Sequence, residues 1–140
     1  MDVNLEPAAL DQFQRSLERC LADPTFTSRF YARFVLSSDE IAALFAETDI
    51  AKQGVVLKRS LYLVMRAARG LEDGLEHLER IAESHSARGL GIEPRHYAHW
   101  LDTLIAVMRE TDPAYEPALE VLWREVFGHC VAQMIAASGR

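Results

Sequence analysis

The hydrophobic positions of this chain recur every three to four residues, which is the spacing of one face of an α-helix. No stretch shows the alternation of polar and apolar residues that marks a β-strand. The pattern also contains no repeat and no linker, so we predict one all-α domain covering 1–140. The predicted helices span 6–21, 24–37, 39–45, 49–69, 71–86, 94–110 and 115–137.

Prolines mark several of the predicted helix boundaries. Pro24 follows Asp23, and Pro94 follows Glu93. An N-cap residue followed by proline is a common start of a helix, because proline lacks an N–H group that the first turn would leave unpaired. We therefore expect helices to begin at both proline positions.

Two of the predicted helices carry apolar stripes that end or break at polar residues. The stripe of helix 49–69 is interrupted by Gln53 and Gly54. The stripe of helix 71–86 runs in steps of three and four, and its next step falls on His85. A histidine at the end of a helix often caps the last carbonyl groups. An imidazole on an apolar face is also the usual axial ligand of haem iron. The stripe before His85 consists of Leu71, Leu75, Leu78 and Ala82.

Composition narrows the class of protein. The chain has 140 residues, 49% of them hydrophobic and 26% charged, which is the balance of an ordinary folded domain. Its net charge of −6 disfavours nucleic-acid binding, since phosphate neutralisation needs a basic surface. The chain contains no apolar run of the roughly 20 residues that a membrane span needs, and MDVNLEP is no signal peptide. Cys20 and Cys130 alone form no disulfide framework, so we expect a reduced, cytoplasmic location.

An ordered set of residues in the first half of the chain resembles the bacterial globins. The segment F-Y-A-R-F at 30–34 is similar to the second helix of flavohaemoglobin globin domains, where the tyrosine, here Tyr31, faces the iron-bound ligand. Phe45 matches the phenylalanine that stacks on the haem. Gln53 matches the distal glutamine, and Leu57 the aliphatic residue above the iron. The resemblance implies a globin fold, a three-over-three helical sandwich around a haem pocket.

The second half of the chain continues the resemblance. His85, within L-E-R-I-A-E-S-H at 78–85, matches the proximal histidine that ligates the iron. Ile81 in the same segment and Ile92 after the following loop are the expected apolar contacts of the cofactor. Tyr97 matches the tyrosine at the start of the next helix. The implied cofactor is haem b, with a five-coordinate iron in the unliganded ferrous state.

The two tryptophans are expected to differ in role. Trp100 lies three residues after Tyr97, so both face the same side of their helix. Several truncated haemoglobins have a tryptophan at the similar place, where the indole N–H serves as a second distal donor. Trp100 could equally be a large core aromatic residue wedged between helices. Trp123 is interpreted as a packing residue.

The haem propionates would need polar or cationic partners at the pocket entrance. Arg88, Arg95 and His96 bracket the loop after the proximal histidine and are candidates for this role. Lys52, next to the distal glutamine, is a similar candidate. His77 lies on the polar side of its helix and is expected to be solvated.

The resemblance implies reversible binding of O₂, and also of CO and NO, for oxygen transport, NO detoxification or gas sensing. Residues 100–113 are similar to the globin parts of bacterial gas sensors. Flavohaemoglobins couple the proximal histidine to a glutamate, where this chain has Ser138, and Phe127 replaces a further tyrosine. We therefore expect the protein by itself to have no enzyme activity, and to dioxygenate NO only with an external reductase.

A homodimer or a signalling partner is compatible with the sequence. The alternatives are a haem-free globin-fold interaction module and a peroxidase-like enzyme.

Overall fold

A computed structural model of the chain describes residues 5–85 and 92–138, with side chains as far as residue 136. All regular secondary structure in these ranges is α-helical, as predicted. None of the helices described is long and apolar enough to cross a membrane. The helices are α1 (Pro7–Ala22), α2 (Phe26–Phe34), α3 (Asp39–Leu44), α4 (Ile50–Ala68), α5 (Glu72–His85), α6 (Pro94–Thr111) and α7 (Pro117–Ser138).

The proline signals are right for α6 and wrong for α2. Glu93 is the N-cap of α6 and Pro94 its first residue. Asp23 and Pro24 instead form a turn before α2, whose N-cap is Thr25. The carboxylate of Asp23 accepts hydrogen bonds from the backbone N–H of Thr25 at 2.8 Å and from its hydroxyl at 2.7 Å. This local side-chain turn competes with helix formation and delays the helix by two residues.

The helices form two layers of three, which confirms the predicted three-over-three arrangement. One layer contains α1, α4 and α5, and the other contains α2, α6 and α7. Within the layers, α4 packs along α5, and α6 packs against both α2 and α7. The layers meet where α2 crosses α4 and where α7 packs on α1 and α5. The short helix α3 joins α2 to α4.

Aromatic rings fill the core between α1 and α7. Phe13 contacts Trp123 and Phe127 edge-on, with ring centroids 5.6 and 5.5 Å apart. All three side chains are fully buried. The indole N–H of Trp123 donates to the Ser16 hydroxyl at 3.0 Å, so its polar atom is satisfied inside the core. Trp123 is therefore a packing residue, as predicted.

A buried carboxylate joins α1 to the end of α6. Asp112 accepts hydrogen bonds from the Ser16 hydroxyl at 2.5 Å and from the Arg19 guanidinium at 2.6 Å. Burial alone would raise the pKa of Asp112, but the hydrogen bonds from Arg19 and Ser16 hold it below its ordinary value. The unfolded state therefore binds this proton more readily, and the stability that Asp112 contributes is lost as the pH falls.

The Asp112→Asn substitution is expected to lower the free energy of unfolding at pH 7 by about 2–3 kcal/mol, because it removes a charge-assisted pair. The free energy of unfolding of this variant should also fall less than that of the wild type between pH 7 and pH 4. Urea unfolding at pH 7 and pH 4 measures both effects. A variant that loses as much stability between these pH values as the wild type would contradict this role of Asp112.

Two glycines set how closely α4 approaches its neighbours. A Cβ atom on Gly74 of α5 would lie 2.3 Å from the backbone nitrogen of Ala67 and 2.5 Å from the carbonyl oxygen of Leu63. A Cβ atom on Gly54 of α4 would lie 3.0 Å from the Thr27 hydroxyl oxygen of α2. The backbone of α4 is thus packed closely against α5, and α2 approaches it at Gly54. These contacts position the side chains that all three helices direct inward.

Candidate functional site

A cavity of about 480 Å³ lies among all helices except α1. This volume is typical of a small-molecule or cofactor site. Its wall is mainly apolar, with a few polar groups at separate places. The apolar side chains of the wall are Phe34, Ile41, Leu44, Phe45, Val56, Leu57, Leu61, Val64, Ile81, Ile92 and Met134.

His85, the last residue of α5, is half-buried in the wall of this cavity. Burial lowers the pKa of His85, so the neutral imidazole predominates at pH 7. The phenol oxygen of Tyr97 lies 3.5 Å from its Nδ1, at the outer limit of a hydrogen bond. An imidazole whose Nδ1 carries the proton offers the lone pair of Nε2 to a metal. The geometry therefore suits His85 as a metal ligand.

Tyr31 and Gln53 form a polar pair in the same cavity. Burial raises the pKa of Tyr31 to about 12, although a hydrogen bond with the Gln53 side chain lowers it slightly. With its pKa raised to about 12 the phenol stays protonated at pH 7, so Tyr31 keeps an O–H group that can donate to a ligand in the cavity. The ring of Phe45 packs beside Tyr31, with centroids 5.6 Å apart.

Trp100 packs among other aromatic rings and also lines the cavity. Its ring packs edge-on against Phe30 and Phe127, with centroids 6.3 and 5.8 Å apart, so it is a packing aromatic residue. It also lines the cavity and is only half-buried. Its indole N–H has no hydrogen-bond partner among residues 5–85 and 92–136. The indole is therefore an available donor at the cavity.

A second polar pair in the wall was not predicted. His77 of α5 lies 2.9 Å, Nε2 to Oγ, from Ser60 of α4, and both line the cavity. Desolvation, followed by the nearby charges of Arg80 and Arg59, lowers the pKa of His77. The expectation that His77 is solvated is wrong, because this side of α5 faces α4. His77 lies eight residues before His85, which places both on the same half of α5. This spacing could have predicted that His77 lines the cavity.

Two residues of α7 complete the wall and were also missed as cavity residues. Cys130 and Met134 lie one helical turn apart and both face the cavity. Burial raises the pKa of Cys130 to about 12, so its thiol stays protonated. Cys130 is a small buried apolar residue, as expected from the sequence, and Cys20 is buried as well.

The residues expected near the propionates have other partners where they are described. Arg95 forms an ion pair with Glu40. His96 accepts a hydrogen bond at Nδ1 from the backbone N–H of Glu93 at 3.0 Å, and its Nε2 donates to Glu40 at 3.0 Å. His96 is buried and lines the cavity, but both ring nitrogens are already used. Its observed contacts hold the start of α6 to α3.

The remaining candidates for the propionates stay predictions. Lys52 is exposed on α4 and is not among the side chains that line the cavity. Arg88 lies outside the described residues, and so does the side chain of Ser138. The other cofactor- and ligand-site residues predicted from the sequence all line the cavity: Tyr31, Phe45, Gln53, Leu57, Ile81, His85, Ile92, His96, Tyr97 and Trp100.

Comparison with known proteins gives one clear relationship. No protein-family model matches the chain, and no curated protein sequence matches it significantly. The fold superimposes on the crystal structure of protein PA3967 from Pseudomonas aeruginosa PAO1 with a TM-score of 0.89. The two chains are 33% identical over 94% of this chain and 99% of the other. That protein is described as structurally highly homologous to a human hemoglobin. Identity at this level over nearly both full lengths shows that the chain belongs to the bacterial single-domain globins.

Proposed function

We propose that this globin binds haem b through His85 and uses it for the reversible binding of O₂, and of CO and NO at the same place. The observation that carries the proposal is the set of groups around one apolar cavity. A neutral imidazole lies in its wall, and the donors of Tyr31, Gln53 and Trp100 line the same space from three other helices. Haem, when bound, supplies the iron atom at which a diatomic gas is held.

The residues present fit this cofactor. The apolar wall suits the faces of a macrocycle, and the cavity of about 480 Å³ is of cofactor size. Phe45 lies in the wall next to Tyr31, as a ring that would stack on the macrocycle. Burial keeps His85 neutral, which is the form that ligates a metal.

The surroundings of His85 favour reversible binding over oxidative chemistry. A carboxylate bonded to a ligating histidine raises the basicity of that ligand. In the part of the chain that the structure describes, the Tyr97 phenol lies within hydrogen-bond distance of the imidazole ring, and no carboxylate bonds to that ring. With no carboxylate to raise its basicity, His85 would act as an ordinary neutral imidazole ligand. NO detoxification by this pocket would take its electrons from a separate reductase, whereas oxygen supply and gas sensing need the binding step alone.

The donors of Tyr31, Gln53 and Trp100 would stabilise a bound, partly anionic O₂ molecule. Hydrogen bonds are stronger in an apolar cavity than in water, because the local dielectric constant is low. Each donor is worth about 1–3 kcal/mol, which corresponds to about five- to hundredfold slower release of the gas. The raised pKa of Tyr31 keeps its O–H group available throughout the physiological pH range.

Tyr31→Phe is therefore expected to speed O₂ dissociation by about five- to hundredfold. The measurement is stopped-flow displacement of O₂ by CO from the haem-loaded ferrous protein. The change removes only a hydroxyl group, so the packing of the ring against Phe30 and Phe45 is preserved.

Tyr62→Phe is the matched control, since it removes the same hydroxyl group from an exposed ring on the outer side of α4. Its O₂ dissociation rate should equal that of the wild type. The O₂ dissociation rate of Trp100→Phe is measured in the same way, as a test of the second donor. An unchanged rate in Tyr31→Phe combined with a large increase in Trp100→Phe would move the stabilisation from the phenol to the indole. A wild-type protein that fails to bind and release O₂ would refute the proposed function.

A further inference from the structure

The cavity reaches the molecular surface between α4 and α5. Val56 of α4 and Ser84 of α5 both line the cavity, and both are exposed. Ser60 and His77 line the same edge, where Oγ and Nε2 lie 2.9 Å apart and both side chains are partly exposed. We call this edge the α4–α5 opening. A ligand in the cavity can extend a polar end toward solvent there.

Two arginines flank the polar pair of the α4–α5 opening. Arg59 directly precedes Ser60 on α4, and Arg80 follows His77 by three residues on α5, so each arginine neighbours one member of the pair. Both arginines are exposed. Their charges lower the pKa of His77, in addition to the larger effect of its burial, so both act on the imidazole. The opening therefore has a positive electrostatic potential.

No carboxylate of the described chain neutralises this group of side chains. Arg59 and Arg80 form no ion pair with any residue in 5–85 or 92–136, and no carboxylate in these ranges bonds to Ser60 or His77. Glu76, the acidic neighbour of His77 in the sequence, is exposed and does not line the cavity. Cations without a partner at the edge of an apolar cavity favour a ligand with an anionic end.

We propose that the α4–α5 opening binds the carboxylate of an amphipathic ligand whose apolar part lies in the cavity. In the tautomer that carries its proton on Nε2, His77 donates to the Ser60 oxygen, and the Ser60 O–H group can then donate to the carboxylate. Arg59 and Arg80 supply the opposite charge from the two helices on either side.

Two kinds of ligand carry a carboxylate on an apolar body of suitable size. One is haem, through its propionate groups, and the other is an aliphatic carboxylate. For haem the proposal rests on the proposed function and extends it. Arg95 and His96, which the sequence suggested as propionate partners, are instead bonded to Glu40. The α4–α5 opening offers cations that have no such partner.

A comparison of haem with haem dimethyl ester, whose propionates are uncharged, tests the haem case. Ferric haem release to excess apomyoglobin should be about three- to tenfold faster in Arg59→Gln with Arg80→Gln than in the wild type. Release of the dimethyl ester should occur at the same rate in both proteins. Ser60→Ala, which removes the proposed donor, should show the same difference between the two ligands.

Lys58→Gln with Arg15→Gln is the matched control, since it also removes two exposed positive charges. Lys58 precedes Ser60 by two residues, which turns it by about 200° around α4, and Arg15 lies on α1. This variant should release haem at the wild-type rate. Equally fast release from both double variants would show an effect of net charge alone and would overturn a site at the α4–α5 opening.

Calorimetric titration of the apoprotein with dodecanoate, and with dodecanol as the uncharged reference, tests the aliphatic case. A loss of dodecanoate affinity in Arg59→Gln with Arg80→Gln, with dodecanol and haem unaffected, would assign the opening to an aliphatic carboxylate. Unchanged haem release and unchanged dodecanoate affinity in that variant would overturn the carboxylate site and leave haem binding through His85 intact. A wild type that binds no haem would refute the proposed function, and the dodecanoate titration would then decide the site by itself.

Discussion

His85→Gly is expected to lose haem binding almost completely. The substitution removes the imidazole that supplies the proposed axial bond, while the apolar wall of the cavity is retained. Loss of an outer partner of a metal ligand already costs about 10- to 100-fold in affinity, so loss of the ligand itself should exceed a hundredfold. Titration of the apoprotein with haem, followed by visible absorption, measures the affinity directly.

Free imidazole should restore the spectrum of His85→Gly, because the substitution leaves a gap of the size of the ring at the end of α5. This rescue separates loss of a ligand from loss of the fold. His129→Ala is the control, since that histidine bonds to Glu125 on α7 and is not among the residues that line the cavity. Unchanged haem affinity and spectra in His85→Gly would show that His85 is not the iron ligand.

Gly74→Ala is expected to lower the free energy of unfolding by about 3 kcal/mol, which is large for the addition of one methyl group. The new Cβ atom would lie 2.3 Å from the backbone nitrogen of Ala67 and 2.5 Å from the carbonyl oxygen of Leu63. Neither atom can rotate away as a side chain could, so α5 must move outward. This movement would displace His85 at the other end of the helix and weaken haem binding as well. Urea unfolding of the apoprotein gives the stability change.

Gly128→Ala provides the matched control for that experiment. Gly128 lies within α7, and a Cβ atom there would meet no other atom within 4 Å. Alanine is a better helix former than glycine by about 1 kcal/mol, so this variant should be as stable as the wild type or more stable. Equal unfolding free energies for Gly74→Ala and Gly128→Ala would contradict the close approach of α4 and α5.

The helices were predictable because their apolar residues follow the period of an α-helix throughout the chain. The start of α2 was not predictable, because Asp23 accepts hydrogen bonds from the N–H and hydroxyl groups of Thr25 in a local turn. Such a turn and an N-cap use the same residue types, and the sequence does not show which of the two forms. The fold itself followed from the resemblance carried by Tyr31, Phe45 and His85.

Residues that line the cavity were predictable where a sequence motif identified them, and uncertain where the prediction depended only on a neighbour in the sequence. Lys52 adjoins the cavity residue Gln53, but one step along a helix turns the side chain by about 100°, and Lys52 is exposed. The contact between Ser60 and His77 depends on how α4 and α5 face each other. The spacing of apolar residues predicts which face of each helix is buried, but not how one helix is rotated relative to its neighbour. The contact between Ser60 and His77 was therefore visible only in the structure.

A titration of the purified wild-type apoprotein with haem, followed in the Soret region, tests most directly whether this globin binds haem. We expect a sharp Soret band that saturates at one haem per chain. The band should shift when the iron is reduced and exposed to CO, and should return when CO is removed. A chain that shows no Soret band above that of free haem would contradict the central claim that this globin is a haem protein.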